Sequence, residues 1–294
     1  PGFRNSVASY TVSLLQPKVI KDMALTAHGL EVVLRKVDNF LPLKDGFLLA
    51  GRGGLTRAEI ARHSARDAKQ YDRYCADLDA VVACVKQFVL ETPPNAGGGL
   101  SDLLAAIKSG RRLAKLPLET QRLMLDFFTV SAAEILERYF ENPAVQALFG
   151  FDAVVGHFAS PYEPGSAYVL LHHVFGEAAG VPGAWGHAIG GMGAITQAMR
   201  KACEGQGVEI FTDCPADEIR FEKGRASAVK ANGDMYRTKI IAASVHPKVL
   251  YGGLIKRENL PEKHRHTLRH YKSHSGTFRM NVALDRLPKF TNAP

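Results

Sequence analysis

The chain has 294 residues, with 37 Lys+Arg against 29 Asp+Glu, a formal net charge of +8 and 46% hydrophobic residues. This is the composition of a folded globular protein, and it excludes disordered, collagen-like and low-complexity chains. The excess positive charge is spread along the sequence, which favours anionic partners weakly and argues against a nucleic-acid-binding arm.

Residues 28–50 are predicted to form short strands. The segment from Leu30 to Leu34 is typical of a strand, and Asp45-Gly46 stands between two apolar runs, 40–43 and 47–49. Because Asp-Gly is a favoured two-residue hairpin turn, these two runs are predicted to pair as an antiparallel hairpin.

A change of hydrophobic period at residue 55 predicts a helical block that extends to residue 145. Thr56 and Glu59 have the spacing of an N-terminal capping box. From Ser64 to Val89, small and apolar residues recur at alternating spacings of four and three. This pattern predicts one helix of roughly 50 Å with a single buried stripe.

Two further helices complete the predicted block. One covers residues 102–116 with Ser101 as its N-cap, and the other covers residues 118–141 and ends at Asn142-Pro143. We expect the block to pack as one layer over a mixed sheet that is built from residues 28–50, 151–175 and 277–284.

Beyond residue 186, helix and strand patterns alternate. Gly190-Gly191 precedes a predicted helix over 192–204, and Asn232-Gly233 predicts a hairpin turn. The apolar segment 240–244 is typical of a buried strand end. Further strands are predicted over residues 208–211, 217–221, 226–231, 235–239 and 277–284.

Cysteine usage indicates the compartment. Cys75, Cys84, Cys203 and Cys214 show neither a CxxC pair nor clustering. We therefore expect free thiols in an intracellular protein, cytoplasmic if the source is bacterial and in the mitochondrial matrix if it is eukaryotic. The longest charge-free run, residues 178–199, contains six glycines and is not predicted to span a membrane.

Residues 184–247 carry a family resemblance. Their sequence, AWGHAIGGMGAITQAMRKACEGQGVEIFTDCPADEIRFEKGRASAVKANGDMYRTKIIAASVHP, resembles the phytoene dehydrogenase-like FAD-dependent oxidoreductases. Within them it is most similar to the branch labelled pyridine nucleotide-disulfide oxidoreductase domain-containing. Residues 1–25, 151–177 and 275–288 are similar to the same branch, so the resemblance spans nearly the whole chain.

The resemblance implies an α/β fold, α+β within this chain, that is part of a two-domain FAD-dependent oxidoreductase. It implies a substrate domain with a mixed sheet and a helical layer for residues 1–185, part of a Rossmann-like, NAD(P)-binding type of FAD domain for 186–246, and a return to the substrate domain for 247–294. The family's GxGxxG and C-terminal Gly-Asp-type flavin motifs do not occur in the chain. Because Pro1 is also not a translation start, we expect a central fragment that by itself does not hold FAD tightly.

The resemblance also implies five cofactor-binding residues. Gly190 and Gly191 form a turn near the boundary between flavin and substrate, and Ala216 offers main-chain groups to the adenine ring. Ala243 and Ser244 end a strand that approaches the flavin, as ligands do at strand ends in α/β folds.

The turn after Gly190 is not interpreted as the dinucleotide phosphate loop itself. Thr196 stands where the fingerprint requires Gly or Ala, and no clear strand runs into the turn. We expect a glycine-rich turn that allows close backbone packing at a helix start and lines a cavity.

The histidine-rich segment 264–274 fits a basic surface better than a metal site. His264, His266, His270 and His274 include i, i+4 pairs, but lysines and arginines surround them and the local sequence offers no set of carboxylates to orient the imidazoles on a metal. We predict a solvated basic helix and no metal. His172 is assigned to core or cavity packing; His187 adjoins the glycine turn.

The resemblance implies hydride transfer from an activated C–H bond to FAD, or double-bond isomerisation assisted by reduced flavin. No side chain is assigned as catalytic, and no cysteine pair suits a redox disulfide. The predicted long helix and Phe127-Phe128 suggest an apolar cavity or membrane-facing surface for a large lipophilic substrate. For each individual residue, simple core packing is the favoured interpretation. The expected partner is a lipophilic small molecule, and such a substrate is compatible with peripheral contact with a membrane. The rival hypothesis is a non-enzymatic, partner-binding or regulatory protein that keeps the fold.

Overall fold

The computed structural model describes residues 5–6, 9–95 and 97–291. The chain divides into two compact units: unit 1 comprises residues 1–202 and 275–294, and unit 2 comprises residues 203–274. Both units contain helices and strands, and this mixed content confirms the predicted α/β class.

Unit 1 is mainly helical, and its strands are short. A single 3₁₀ turn, Phe151–Ala153, precedes its eighth helix. The other elements in chain order are α1 (Pro17–Asp22), β1 (Val32–Leu34), β2 (Val37–Leu43), β3 (Gly46–Gly51), α2 (Leu55–His63), α3 (Ala65–Lys86), α4 (Leu100–Ala114), α5 (Leu118–Thr129), α6 (Ala132–Tyr139), α7 (Pro143–Gly150), α8 (Tyr168–Phe175), β4 (Glu177–Ala178), β5 (Val181–Pro182), β6 (Gly186–Ala188) and α9 (Gly193–Glu204).

The hairpin predicted around Asp45-Gly46 is confirmed. β2 and β3 pair antiparallel, with Leu43 opposite Gly46 and Phe40 opposite Leu49. The predicted first strand is shorter than expected, and it pairs with β6, so that Val33 lies opposite a residue 154 positions later, His187.

The prediction of one long helix from Thr56 to Val89 is wrong, because the chain breaks at Ser64. Ser64 has extended backbone angles, and its hydroxyl accepts a hydrogen bond from the Asp67 N–H, which makes it the N-cap of α3. The predicted capping box is wrong too. The Thr56 hydroxyl donates to the Gly51 carbonyl and accepts from its N–H, so it holds strand β3 instead of the helix start.

The predicted helix over 118–141 also breaks in two. Ser131 is the N-cap of α6 and accepts a hydrogen bond from the Glu134 N–H at 3.1 Å. Asn142 is in turn the N-cap of α7. The helix predicted over 102–116 is confirmed as α4, but α4 begins at Leu100, so Ser101 is not its N-cap.

The main core lies between the hairpin and the helices. It joins side chains of β3 and of α2, α3, α5, α6, α7 and α8, among them Leu48, Ile60, Val81, Phe127, Ile135, Leu148 and Leu170. Helices of the predicted block therefore pack against the hairpin. The block does not pack as one layer, because α4 has no buried residue, and the predicted mixed sheet is also wrong. Residues 151–175 contain a 3₁₀ turn and α8 instead of strands, and 277–284 is neither helix nor strand in the described structure. An alternating pattern forms a strand only beside a partner edge, and no described strand pairs with 277–284.

A buried carboxylate connects the start of α3 with the start of α7. Asp67 is fully buried, and its carboxylate accepts hydrogen bonds from the N–H groups of Glu141 and Asn142 at 3.1 and 2.9 Å. The half-exposed Arg66 contacts the same carboxylate at 3.3 Å. Asp67 thus fixes the N-terminus of α7 against the start of α3.

A second, smaller core of unit 1 supports the glycine turn. Val12, Leu25 and Leu30 pack against Ile195 and Ala198 of α9. The buried face of α9 therefore holds its N-terminus beside residues 9–15.

Unit 2 contains one antiparallel sheet and a short helical region. Asn232 and Gly233 both have positive φ, as the predicted hairpin turn requires. Its elements are β7 (Ala216–Glu222), β8 (Arg225–Ala231), β9 (Asp234–Arg237), α10 (Pro247–Val249), a π turn (Leu250–Leu254), a 3₁₀ turn (Arg257–Asn259) and α11 (Glu262–His270). The strands lie in the order β7-β8-β9.

Two strand predictions in unit 2 are wrong. Residues 208–211 and 240–244 have no strand pairing in the described structure, and Ile240 is 83% exposed. Their apolar composition predicts burial, but a strand is stable only with a neighbouring strand to satisfy its main-chain groups. The prediction of free thiols is confirmed for all four cysteines.

Candidate functional site

The glycine turn lies between β6 and α9. Gly190 and Gly191 have φ angles of 85° and 79°, which side chains other than glycine rarely adopt. The Gly191 N–H donates to the Ala188 carbonyl at 2.9 Å, and the Met192 N–H donates to the Ser6 hydroxyl at 3.1 Å. A Cβ atom at position 191 would lie 3.2 Å from the Ser6 hydroxyl, so this tight approach and the positive φ both favour glycine there.

A strand does run into this turn, which corrects the expectation that none does. That strand, β6, is three residues long and pairs antiparallel with β1. Every strand pair in the described residues is antiparallel. The described chain therefore lacks the parallel βαβ unit that holds a dinucleotide pyrophosphate.

An apolar cavity of about 360 Å³ adjoins the turn; we refer to it as the inner cavity. Met192 and Ile195 from the start of α9 form one wall, and residues 9–15 form another. Phe151, Val155, His172 and Trp185 complete the lining. A cavity of this size and polarity suits a small or elongated apolar ligand.

A second, more open cavity of about 1020 Å³ lies next to it; we refer to it as the outer cavity. Tyr10, Phe151 and Val155 line both cavities. Residues 276–279 line only the outer cavity. The Arg279 guanidinium lies 4.2 Å above the Tyr10 ring and donates to the Ser6 carbonyl at 3.3 Å, so this late segment is held against the start of the chain.

A polar cluster holds the edge of the inner cavity. Arg35 donates from Nε to His187 Nε2 at 3.0 Å and from a terminal nitrogen to the Thr11 hydroxyl at 2.5 Å. Its guanidinium also lies 5.5 Å from the centre of the Trp185 ring. His187 Nδ1 is 3.0 Å from the Tyr10 carbonyl. Sequence reasoning singled out His187 but missed Arg35, because no local pattern joins residues 152 positions apart.

Two titratable groups near the cavities have shifted pKa values. Burial lowers the pKa of the His172 imidazole, which favours its neutral form. Burial, and to a lesser extent the Asp38 carboxylate, raises the pKa of Asp152 to about 7. Asp152 adjoins Phe151, and the sequence contained no motif that marked it.

In unit 2, Ala216 begins β7, opposite Ala231 of β8. Since β7 is an edge strand, its outer side has no strand partner in the described chain. Ala243 and Ser244 are exposed and lie outside the strands. Unit 2 therefore places Ala216 at the start of an edge strand, but it does not place Ala243 and Ser244 at a strand end.

The histidine-rich segment forms the basic helix α11. The His266 and His270 rings are 4.4 Å apart, and Arg265 and Arg269 both contact Glu262. The described residues contain no group of three or more His, Cys, Asp or Glu side chains arranged to hold a metal ion.

Comparison with known proteins gives one family and several relatives. Residues 58–278 match the family described as flavin containing amine oxidoreductase. The whole chain is 32% identical to 54% of the mouse (Mus musculus) "Pyridine nucleotide-disulfide oxidoreductase domain-containing protein 2". A segment of 38% of the chain is 35% identical to 20% of a phytoene desaturase (neurosporene-forming) of Cereibacter sphaeroides.

The fold has a relative among solved structures. A putrescine oxidase variant matches 88% of this chain and 51% of its own, with a TM-score of 0.50 and 17% sequence identity. The chain thus spans about half the length of the relatives that it matches over most or all of its residues.

Proposed function

Because the chain belongs to the flavin containing amine oxidoreductase family, we propose that it forms the substrate-binding part, and some of the cofactor-binding part, of an FAD-dependent oxidoreductase. The proposed reaction is hydride transfer from an activated C–H bond of a lipophilic substrate, or isomerisation of a double bond in it. The proposed substrate domain is 1–185 with 247–294, and residues 186–246 contribute to the FAD domain.

The observation that carries this proposal is the inner cavity beside the glycine turn. Apolar side chains form most of its lining, and one of them, Met192, directly follows Gly190 and Gly191 in the chain. A Cβ atom on Gly193 would meet nothing within 4 Å, so open space lies in front of the helix start. These features fit a planar ring system placed between the turn and an apolar substrate.

FAD, when bound, would accept the hydride, and the chain's residues bind and orient the substrate. Gly190 and Gly191 would contact the cofactor, and the apolar lining would exclude water from the reacting C–H bond. His172, with its lowered pKa, supplies a neutral imidazole that can donate one hydrogen bond and accept another. Ala216, on the free edge of β7, would pair with the adenine through its main chain; Ala243 and Ser244 are proposed as further contacts.

The test uses the full-length protein that contains this chain. We expect the purified protein to carry flavin absorbance, and a lipophilic probe, Nile red, to fluoresce in the cavity. Val155→Trp should reduce Nile red binding at least tenfold, because Val155 lines both cavities. Val154→Trp is the matched control, since Val154 lines only the outer cavity. Two results together would favour the non-enzymatic alternative: a colourless full-length protein, and equal Nile red binding by the unmodified protein and Val155→Trp.

Residues 1–294 alone are predicted to bind FAD weakly. Charge-assisted hydrogen bonds contribute about 1.5–3 kcal/mol each, and a pyrophosphate without two or three of them loses roughly 3–9 kcal/mol. Since 1.4 kcal/mol is a factor of ten, even the low end weakens a micromolar site by about 100-fold. Quenching of FAD fluorescence measures this; a micromolar dissociation constant would assign the pyrophosphate to the turn at Gly190–Gly193.

A further inference from the structure

Helix α4 presents its apolar side to solvent. Leu100, Leu103, Leu104 and Ile107 are 73, 56, 59 and 42% exposed, and no residue of α4 is buried. At 100° per residue, these four side chains fall within an arc of about 100° on one face of the helix. An arc of this width normally faces a core, so α4 has the pattern of an amphipathic helix turned outward.

The opposite side of α4 is held to the rest of unit 1 by Arg112. Its guanidinium donates to both carboxylate oxygens of Glu91 at 2.7 and 2.8 Å and to the Gln87 carbonyl at 3.0 Å. It also lies 4.4 Å from the centre of the Phe88 ring. One guanidinium nitrogen bonds both Glu91 oxygens and the other bonds the Gln87 carbonyl, and together with the ring contact these bonds fix the rotation of the helix, so the outward direction of the leucines is a defined orientation.

Basic side chains border the apolar face. Lys108, Arg111 and Lys115 are exposed. At 100° per residue, Lys108 and Lys115 project beside one edge of the leucine arc, and Arg111 projects within the arc about one turn beyond Ile107. The only acidic residue of α4, Asp102, lies on the far side and accepts a hydrogen bond from the Asn95 N–H at 3.0 Å. The exposed face therefore combines apolar and positive groups.

This combination discriminates between occupants. A second copy of the chain placed on α4 would bury three cations without a carboxylate on the same face, which is unfavourable. An anionic lipid surface satisfies both properties, because leucines enter the boundary of the acyl chains while lysine and arginine reach the headgroups. No described helix is long and apolar enough to cross a bilayer, and α4, at about 22 Å, would lie in the surface plane.

We propose that α4 docks the protein on an anionic membrane surface, with Leu100, Leu103, Leu104 and Ile107 in the lipid and Lys108, Arg111 and Lys115 at the headgroups. This inference does not depend on the bound flavin or on the reaction. It assigns the membrane contact to α4, instead of to the long helix and Phe127-Phe128 from which the sequence analysis suggested it.

The test is sedimentation of the full-length protein that contains this chain with vesicles of about two parts phosphatidylcholine to one part phosphatidylserine. Each basic residue near an anionic surface contributes about fivefold, so we expect binding to phosphatidylcholine alone to be roughly 100-fold weaker. The triple variant Lys108→Gln, Arg111→Gln, Lys115→Gln should lose this preference. Neutralising three exposed cations of unit 2, in Arg225→Gln, Lys239→Gln, Lys248→Gln, should preserve it at the same net charge.

A matched pair tests the apolar half. Leu104→Ser should weaken vesicle binding about tenfold, whereas Leu125→Ser, an equally exposed leucine on α5, should not. Equal losses for the two leucine variants, or no binding to the anionic vesicles, would overturn the proposal. A dimer in sedimentation velocity that Leu104→Ser dissociates, with vesicle binding unchanged, would assign the face to a second copy.

Discussion

Replacing Asp67 by alanine should destabilise unit 1 more than any ordinary surface change on the same helix. The substitution removes a buried carboxylate and leaves the N–H groups of Glu141 and Asn142 without their acceptor. Each hydrogen bond to a charged group contributes about 1.5–3 kcal/mol, and Arg66, half exposed, adds at most about 0.5 kcal/mol. We therefore expect a loss of about 3–6 kcal/mol in the free energy of unfolding.

Urea unfolding followed by Trp185 fluorescence measures this loss. Trp185 is the only tryptophan, and it belongs to unit 1, so the signal follows the unit that contains Asp67. Asp72→Ala is the matched control, because Asp72 lies on the same helix but its side chain is 61% exposed in a pair with Arg57; we expect about 1 kcal/mol or less. Asp67→Asn, which keeps one acceptor oxygen, should fall between them. Equal urea midpoints for Asp67→Ala and Asp72→Ala would refute the structural role.

Two further predictions concern the neighbourhood of the cavities. Gly191→Ala should lower the free energy of unfolding by about 1–2 kcal/mol, because residue 191 has a positive φ. Gly193→Ala, at a helix start with open space, should raise it by up to about 1 kcal/mol. Thermal unfolding measures both changes, and changes of the same sign would contradict the strain at Gly191. The raised pKa of Asp152 means that the folded state keeps this proton from about pH 4 to about pH 7 while the unfolded state releases it, so stability from this group falls as pH rises through that range. The Tm of Asp152→Asn should therefore fall less than that of the unmodified chain between pH 4 and pH 8, and parallel pH profiles would exclude Asp152 as the cause.

The sequence predicted the turns, because their geometry depends on one or two neighbouring residues. Asp45-Gly46 and Asn232-Gly233 identified two hairpins. Asn232 and Gly233 both have the positive φ angles that such turns need and few residues adopt, whereas at the first hairpin only Gly46 does, because Lys44 and Asp45 form its two-residue loop. Gly190-Gly191 identified a turn before a helix for the same reason.

The helix breaks and the contacts between distant residues could not be predicted from the sequence. Ser64 fits the spacing of an apolar stripe as a small residue, so the periodicity continues across the place where its hydroxyl caps a new helix. The partners of Asp67 are main-chain N–H groups 74 and 75 positions away, which no side-chain pattern marks. Arg35 and His187 meet only because β1 pairs with β6.

The candidate site was likewise predictable only where it depends on neighbouring residues. Glycines and apolar residues around position 190 predicted a cavity beside a turn, but the wall contributed by Tyr10 and Phe151 depends on how distant segments pack. The apolar segment 240–244 predicted a strand, which needs a partner strand that composition does not reveal.

The wall of the outer cavity that comes from residues 276–279 has a consequence for synthesis. Unit 1 is interrupted by all of unit 2, so the ribosome must translate residues 203–274 before Arg279 can reach Tyr10. At about 5–20 residues per second, this interval lasts roughly 4–14 s. During it, the helical core of unit 1 can form while the outer cavity still lacks this wall, so chaperones can reach its apolar lining on the nascent chain.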